Sequence, residues 1–432
     1  MKKRLALIVN EKTIDLVIGL GKIPTAISSI IYEDITNLGQ SIEYFLESNK
    51  INSENVKEIL IAIDFTMFLK NIKKSSFGYI QLGNPMSYNQ LNIENYIYDI
   101  NLFIDSFSIN NLNTKDTKIG LENFLKALVR KNINKIAINN PFSNFNKNKE
   151  KEIINTIQNI YGNDVVLFPS HFHSISNYLV RENMLFLNII LYENVKKMID
   201  NILDIFNVLN INSNVFFMRG NGTLTSLDFI LQSSSDTWKS IYSSMLIGSS
   251  IIAGEKNSYV LTKNEANLEA SIIQDGMPLL LKPLSHLENL VLSPNFPWII
   301  DIQNNYDQNN LASILSQNNV YQGEVPVISF VESIKPHSVY PYELIKLENS
   351  SYVAAVGILN AHFQFNISGS IQDMNPKIVD KTKDNLKQKA FNLLKKYNIK
   401  IQNIEYFYSI TPVKYNSKNT SIINLTINGQ TC

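Results

Sequence analysis

The residues best placed to do chemistry lie between Phe216 and Leu280. FFMRGNGTLTSLD (216–228) sets Arg219 beside Gly220, Asn221 and Gly222, with Thr223 next in line. Two glycines let the backbone approach a neighbour closely, and a guanidinium is a permanent cation suited to anionic groups. The plainest reading is a structural turn with one solvated arginine; the sharper one is a ligand contact. Lys263 is a second cation, offset by Glu265, in SYVLTKNEANLEASIIQDGMPLL (258–280). Near the N-terminus, Thr13 and Asp15 follow the turn Asn10-Glu11-Lys12. Arg181, Glu182 and Asn183 interrupt an apolar run, and read either as a paired cluster at a seam or as a ligand site facing a cleft. Asp64 and Thr66 close another apolar run, where an Asp is more often a cap than a cleft residue. His171 and His173 would share a strand face, but two histidines without a third ligand are a weak basis for a metal, and none is expected.

The elements that must position these groups are bounded by composition. A chain of 432 residues fits two or three domains with real cores. Apolar residues at 44% and charged residues at 18% make an ordinary globular balance. A net charge of +1 gives no electrostatic reason to expect a nucleic acid or an anionic membrane as partner. The single cysteine, Cys432, leaves no disulfide framework or cysteine-based zinc site within one chain. Glu11, Lys12 and Asp15 interrupt the apolar run after the basic start, so it reads as a first strand rather than a signal peptide. No later window reaches about 18 clean apolar residues. A cytoplasmic location is expected.

Residues 4–19 read as two strands joined at Asn10-Glu11-Lys12, and 35–50 as an amphipathic helix with Leu38, Ile42, Phe45 and Leu46 on one face. The segment 57–71 reads as a strand and a turn. The alternation of helix, strand, loop, helix and strand over 121–172 implies parallel strands with right-handed crossovers. A helix is expected at 196–211. The stretch 216–280 should contain a strand, a Gly turn, the small-residue helix SSMLIGSSIIAGEK (243–256), a strand pair and an Asp-Gly hairpin. A long amphipathic helix plus two strands fill 377–415.

In this order of pieces the chain resembles the hydantoinase A/oxoprolinase family of the actin-like ATPase superfamily, as a degenerate member. The resemblance rests on the Arg-Gly segment, the Ser-rich helix and the hairpin DGMP (275–278); on Phe142-Ser143, Glu150 and Ser170-His171; and on Arg181 and Asn188. It implies an α/β fold, a two-lobed actin-like ATPase (ribonuclease H-like) architecture with a C-terminal α+β unit, and with it a helix at 177–188, a strand at 322–337 and a small-residue helix at 350–363. The corresponding division is an N-terminal lobe at 1–175, a central lobe at 176–345 and a helix-plus-strands unit at 346–432.

The family hydrolyses or activates cyclic amides with ATP by phosphorylating a carbonyl oxygen. Its first phosphate loop is a strand-ending Asp, two glycines and a Thr; here Val9-Asn10-Glu11-Lys12-Thr13 stands in that place, and only Thr13 and Asp15 match. Its second, Asp-X-Gly-Gly-Thr-Thr-Thr-Asp, is replaced by Tyr259 to Ala266, and the glycines behind the nucleoside by Val331-Glu332-Ser333. Val331 and Tyr259 are bulky enough to fill the cleft. The resemblance therefore implies a nucleotide-site-defective protein that needs no cofactor and acts as a binding or regulatory subunit. The alternative is an active ATP-dependent cyclic-amide hydrolase or carboxylase-type subunit with an atypical phosphate site, which would take Mg·ATP. A third reading is a metabolite cleft without nucleotide, centred on Arg219 and Arg181. Candidate ligand contacts are Arg219, Asn221, Thr223, Arg181, Thr13, Asp15 and Lys263, with catalytic residues unassigned. Expected partners are another subunit or a second copy, together with a small molecule, and neither nucleic acid nor membrane.

Overall fold

The structure is a computed structural model that describes residues 3–31, 37–83, 100–109, 114–140, 148–162, 164–172, 178–264, 267–280, 285–287, 290–292, 296–302, 311–318, 320–321, 323–372, 374–396, 399–412 and 421–431. The first two apolar runs form the expected hairpin: Lys3–Val9 pairs antiparallel with Thr13–Leu20, Val9 opposite Ile14. Ile23–Ile31 adds antiparallel on one side of this hairpin. On the other side lie Val56–Ile63 and then Asn214–Met218, both parallel to the first strand's direction.

The same five-place order recurs in the second sheet. Ser258–Asn264 pairs antiparallel with Asn267–Gln274 across the second hairpin, and Val327–Ser329 and Leu344–Lys346 follow in parallel on the first strand's side. The remaining place is shared by Met277–Pro278 and Ile299–Ile302, which both run antiparallel to Asn267–Gln274. Ile273 faces Pro278 and Ser271 faces Ile299, so one strand position is split by an excursion of the chain. The Asp-Gly turn of this sheet is built as its sequence demands, with Asp275 and Gly276 both in the left-handed region at φ 53 and 78.

A third sheet is wholly parallel, in the order Asn101–Ile109, Lys74–Leu82, Lys135–Asn139, Val166–Pro169. Helices Lys115–Arg130 and Asn148–Tyr161 cover it, burying Leu121, Leu125, Leu128, Ile153 and Ile157, as the alternation of helix and strand implied. The two helices expected at 177–188 and 196–211 are one, Tyr178–Val208. No Gly or Pro lies between them, so nothing ends the first before the second begins. The closing unit also differs from expectation. Pro376–Lys396 is helical and Ile401–Pro412 is one strand, while its partner is Ser421–Thr431, where Ile423, Leu425 and Ile427 alternate inward beneath the helix. These strands and Phe363–Ile371 continue the first sheet through Leu224–Ser226, making nine strands.

Two small-residue helices lie between the first and second sheets. On Ser240–Ala253, Ile247 packs with Ala6, Ile8, Leu60 and Met218 of the first sheet, whereas Leu246 packs with Val260, Ile273 and Ile328 of the second. Its partner Ser350–Asn360 crosses it at two glycines. A Cβ on Gly248 would sit 1.8 Å from the Val353 carbonyl oxygen, and one on Gly357 would sit 1.7 Å from that of Ser244. The Ser244 hydroxyl donates to the Ala354 carbonyl at 2.7 Å across the same contact.

Backbone cannot yield to a methyl group as a side chain can. Gly248→Ala and Gly357→Ala are each expected to cost about 3 kcal/mol or more, or to prevent folding. Gly39→Ala is the control: its Cβ would meet Ile205 at an ordinary 3.5 Å. Helix propensity should then make it neutral or stabilising by up to about 1 kcal/mol. Urea denaturation of the three variants checks this.

Candidate functional site

Arg219 follows the strand Asn214–Met218 and is held inside the turn. It is 3% exposed rather than solvated, which corrects the plain reading of its sequence context. Its Nε and Nη2 donate to Thr223 Oγ1 at 3.1 and 2.6 Å, and Nη2 also donates to Gln364 Oε1 at 3.1 Å. Asn221 Nδ2 donates to the same Gln364 oxygen at 3.2 Å, and Asn221 Oδ1 accepts from the Thr223 hydroxyl at 2.7 Å. Gln364 passes the chain of bonds on, its Nε2 donating to Asn428 Oδ1 at 3.2 Å. Burial disfavours the guanidinium charge, and the buried Asp236 carboxylate partly restores it; burial raises Asp236 in turn, against Arg219 and Ser233. Gly222 lies at φ +83, and a Cβ there would come within 2.9 Å of Ile247, so the turn is pressed onto the inter-sheet helix. Three of the candidate residues thus meet, with each other and with Gln364 as their partners.

The other candidates have different settings. Asn10 N–H donates to Thr13 O at 2.9 Å, closing the first hairpin over Glu11 and Lys12, and neither of those two has a positive φ. Thr13 Oγ1 accepts from Asn10 Nδ2 at 3.4 Å. Asp15 is 3% exposed and accepts a hydrogen bond from the Ser29 hydroxyl of the neighbouring strand. Lys263 is exposed on its strand, opposite Leu268. Tyr259, expected as a cleft filler, is instead core: it is fully buried against Tyr321 and Tyr342, and its hydroxyl donates to Leu315 O at 3.1 Å. Val331 is half-buried, and Glu332 and Ser333 are exposed. Asp64 is a cap, accepting from Thr66 N at 3.0 Å, and it also receives Lys239 N at 3.0 Å just before the inter-sheet helix.

A second polar cluster stands at the carboxyl ends of the parallel strands. It falls between Lys74–Leu82 and Lys135–Asn139, where the strand order reverses, the position at which open α/β sheets hold ligands. Tyr79 donates to Glu182 and bonds Tyr178 Oη at 3.0 Å; Gln81 Nε2 donates to Tyr178 Oη at 2.8 Å, and Asn139 Nδ2 to Tyr79 Oη at 3.3 Å. Beside it, buried Glu150 accepts from the Ser170 hydroxyl at 2.5 Å and binds His171 Nδ1 at 2.5 Å, while Arg181 Nη2 donates to Asn140 O at 2.8 Å. Arg181 is fully buried in this cluster. Asn188, lower on the same helix, accepts from Ser235 N at 2.8 Å and so ties this end to the loop carrying Asp236. Phe142, Ser143 and His173 lie outside the described residues. Sequence reading missed Tyr79, Gln81, Asn139 and Tyr178; the only signal was two tyrosines and amides set among apolar strand and helix residues. Among the described residues no group of three or more His, Cys, Asp or Glu could hold a metal ion, and no helix is long and apolar enough to cross a membrane.

Burial raises the Glu182 carboxyl above the ordinary glutamate range, against hydrogen bonds from Tyr79, Asn139 and Tyr178. The folded state then holds this proton more tightly than the unfolded chain does. Its contribution is most favourable at acid pH and declines as pH rises from the ordinary glutamate range through the raised folded value. Glu182→Gln should remove that slope, so wild type loses ground to the variant between mildly acidic and neutral pH. Urea denaturation of both across that range reads it directly.

Two solved structures share this architecture. One is acetone carboxylase in a nucleotide-free structure, from work on the mechanism of ATP-dependent acetone carboxylation, with a TM-score of 0.65 and 10% identity over 100% of this chain and 88% of that one. The other is the ATP-dependent caprolactamase of Pseudomonas jessenii, with a TM-score of 0.64 and 8% identity over 98% of this chain and 87% of that one. No protein-family model and no curated protein sequence matches the chain. Identities this low speak to fold alone: the chain is a mixed α/β protein of the two-lobed actin-like ATPase architecture.

Proposed function

We propose that this chain is a hydantoinase A/oxoprolinase-like protein with a defective nucleotide site, acting as a binding or regulatory subunit in the cytoplasm. The observation that carries this reading is the first hairpin turn. A phosphate cradle needs successive backbone amides turned to one side, usually with a residue in the left-handed region. In the turn of Asn10 to Thr13 the Asn10 amide is spent on Thr13 O, no residue has a positive φ, and Glu11 adds an exposed carboxylate 3.8 Å from Lys70 Nζ. Asp15, the residue matching a family Asp, is buried on Ser29. Arg219, Asn221 and Thr223 are engaged with one another and with Gln364, which suits a rigid joint better than a mobile ligand clamp. The residues present therefore do not fit Mg·ATP.

The likeness to two ATP-dependent enzymes supports the second reading, an active cyclic-amide hydrolase or carboxylase-type subunit with an atypical phosphate site. Exposed Lys263 at the second hairpin is the cation such a site would use. Calorimetry and thermal shift with Mg·ATP and Mg·ADP separate the two. A ligand that binds only the folded state at about 100 times its Kd stabilises by about 2.7 kcal/mol. The expected result is no heat and no shift. A Kd in the low micromolar range would overturn the defective-site reading, and ATP turnover lost in Lys263→Ala would establish the second.

A further inference from the structure

Among the described residues, the groups that bond the buried carboxyl of Glu182 are neutral: the hydroxyls of Tyr79 and Tyr178 and the amide of Asn139. The two other buried glutamates are set differently, Glu58 2.7 Å from Arg4 Nε and Glu150 2.5 Å from His171 Nδ1. Glu182 is instead the inner end of a chain. Gln81 Nε2 donates to Tyr178 Oη at 2.8 Å, Tyr178 Oη lies 3.0 Å from Tyr79 Oη, and Tyr79 bonds Glu182 Oε1. The outer end is near water: Gln81 and Tyr178 are half-buried, and Gln81 Oε1 accepts from the exposed Ser108 hydroxyl at 3.2 Å. The inner end is sealed, Tyr79 being 0% and Glu182 6% exposed.

Each phenol has one hydrogen to give and an oxygen that accepts, which leaves the chain two arrangements. With Glu182 ionised the hydrogens point inward: Tyr178 donates to Tyr79, and Tyr79 donates to the carboxylate. With Glu182 protonated they point outward: the carboxyl donates to Tyr79 Oη, Tyr79 donates to Tyr178 Oη, and the Tyr178 hydrogen turns towards the strand ends. Gln81 and Asn139 serve both arrangements, because each gives an N–H to a phenol oxygen whichever way the hydroxyls run. No heavy atom has to move. Burial and the Glu182 charge raise both phenols, Tyr178 to about 12 and Tyr79 well above its ordinary value, so neither ionises while Glu182 titrates.

We propose that Glu182, Tyr79 and Tyr178 form a proton relay that gives a proton to, or takes one from, a small molecule held at the carboxyl ends of the parallel strands, or water in its place. In one outward transfer the O–H bond of Glu182 breaks and one forms on Tyr79 Oη. The hydrogen Tyr79 held passes to Tyr178 Oη, and the one Tyr178 held passes to the outside acceptor. Both phenols end with one hydrogen, the acceptor is protonated and Glu182 is left as the anion; the reverse sequence recharges it. The other ionisable groups at this end of the sheet stand outside the chain: Arg181 donates to Asn140 O, and Glu150 is held by Ser170 and His171. The Arg181 charge is felt by Glu150 and by both phenols, so it biases the relay without being part of it.

The test is NMR of the full chain in water and buffer alone, with glutamate carboxyl and tyrosine Cζ carbons labelled, titrated from mildly acidic to mildly alkaline pH. Circular dichroism confirms folding of each variant. The Glu182 carboxyl should titrate above the ordinary glutamate range, and the Tyr79 and Tyr178 Cζ signals should shift with the same midpoint as their hydrogens reverse. Tyr79→Phe keeps the ring and removes the middle hydroxyl: Glu182 should still titrate, and Tyr178 should no longer follow it. Glu182→Gln should flatten both tyrosine curves. Tyr178→Phe, at a half-buried position, reads the exit independently should Tyr79→Phe fail to fold. There the exchange of the Tyr79 hydroxyl hydrogen with deuterated water, seen as an isotope shift on Cζ, should slow severalfold. A Glu182 that titrates in the ordinary range overturns the proposal, as does a Tyr178 signal that stays flat while Glu182 titrates. So does a Tyr178 signal that follows Glu182 unchanged in Tyr79→Phe, which would be the direct field of the carboxylate. Unchanged Tyr79 exchange in Tyr178→Phe overturns the exit through Tyr178.

Discussion

The contact between Gly248 and Gly357 sets the distance between the two repeated sheets. Helix backbones approach this closely only where both partners lack a Cβ, and here each glycine faces the other helix's carbonyl groups. Ile247 and Leu246, adjacent in sequence, point to opposite sheets from that position. The helix pair is therefore shared core rather than a cover on one sheet. Because it is backbone against backbone, little sideways adjustment is available, and everything attached to the two helices inherits their spacing.

The Arg219 turn is one such attachment. Gly222 is wedged against Ile247, and the Ser243 hydroxyl of the same helix donates to Gly220 O. From there Arg219, Asn221 and Gln364 run a chain of hydrogen bonds into the C-terminal strands at Asn428. Asp64 does the corresponding work at the start of that helix, joining the end of a first-sheet strand to Lys239. Buried polar groups of this kind are costly to leave unmet and are satisfied here by neighbours. They give the joint between sheets a specific geometry, and they leave its cations occupied with internal partners.

The strand-end cluster around Tyr79, Glu182 and Tyr178 is built differently. Its parts come from two parallel strands and the first turn of a long helix, and its carboxyl is raised by burial rather than stabilised as an anion. Asn188 on that helix reaches the loop bearing Asp236, so the same helix touches both polar centres. The two are linked by one rigid element of 31 residues.

Local pattern determines much of this protein. The two apolar runs of Lys3–Leu20, the helix–strand alternation from Lys115 to Pro169 and the Asp275-Gly276 turn are short-range signals, dictated by backbone sterics and by which side chains must leave water. The absence of glycine between Val9 and Thr13 was equally plain, and it governs what that turn can bind. What the sequence could not decide is which side chains meet over long separations. That Arg219 is sealed by Gln364, that Tyr259 fills a core rather than a cleft, and that Glu182 lies on Tyr79 depend on strands far apart in the chain sharing a sheet. The first sheet takes strands from residues 3–63, 214–226 and 363–431, and no local rule brings them together. Burial is a property of the assembled sheets, and burial turned the apparent solvated cation of a glycine turn into a structural bolt.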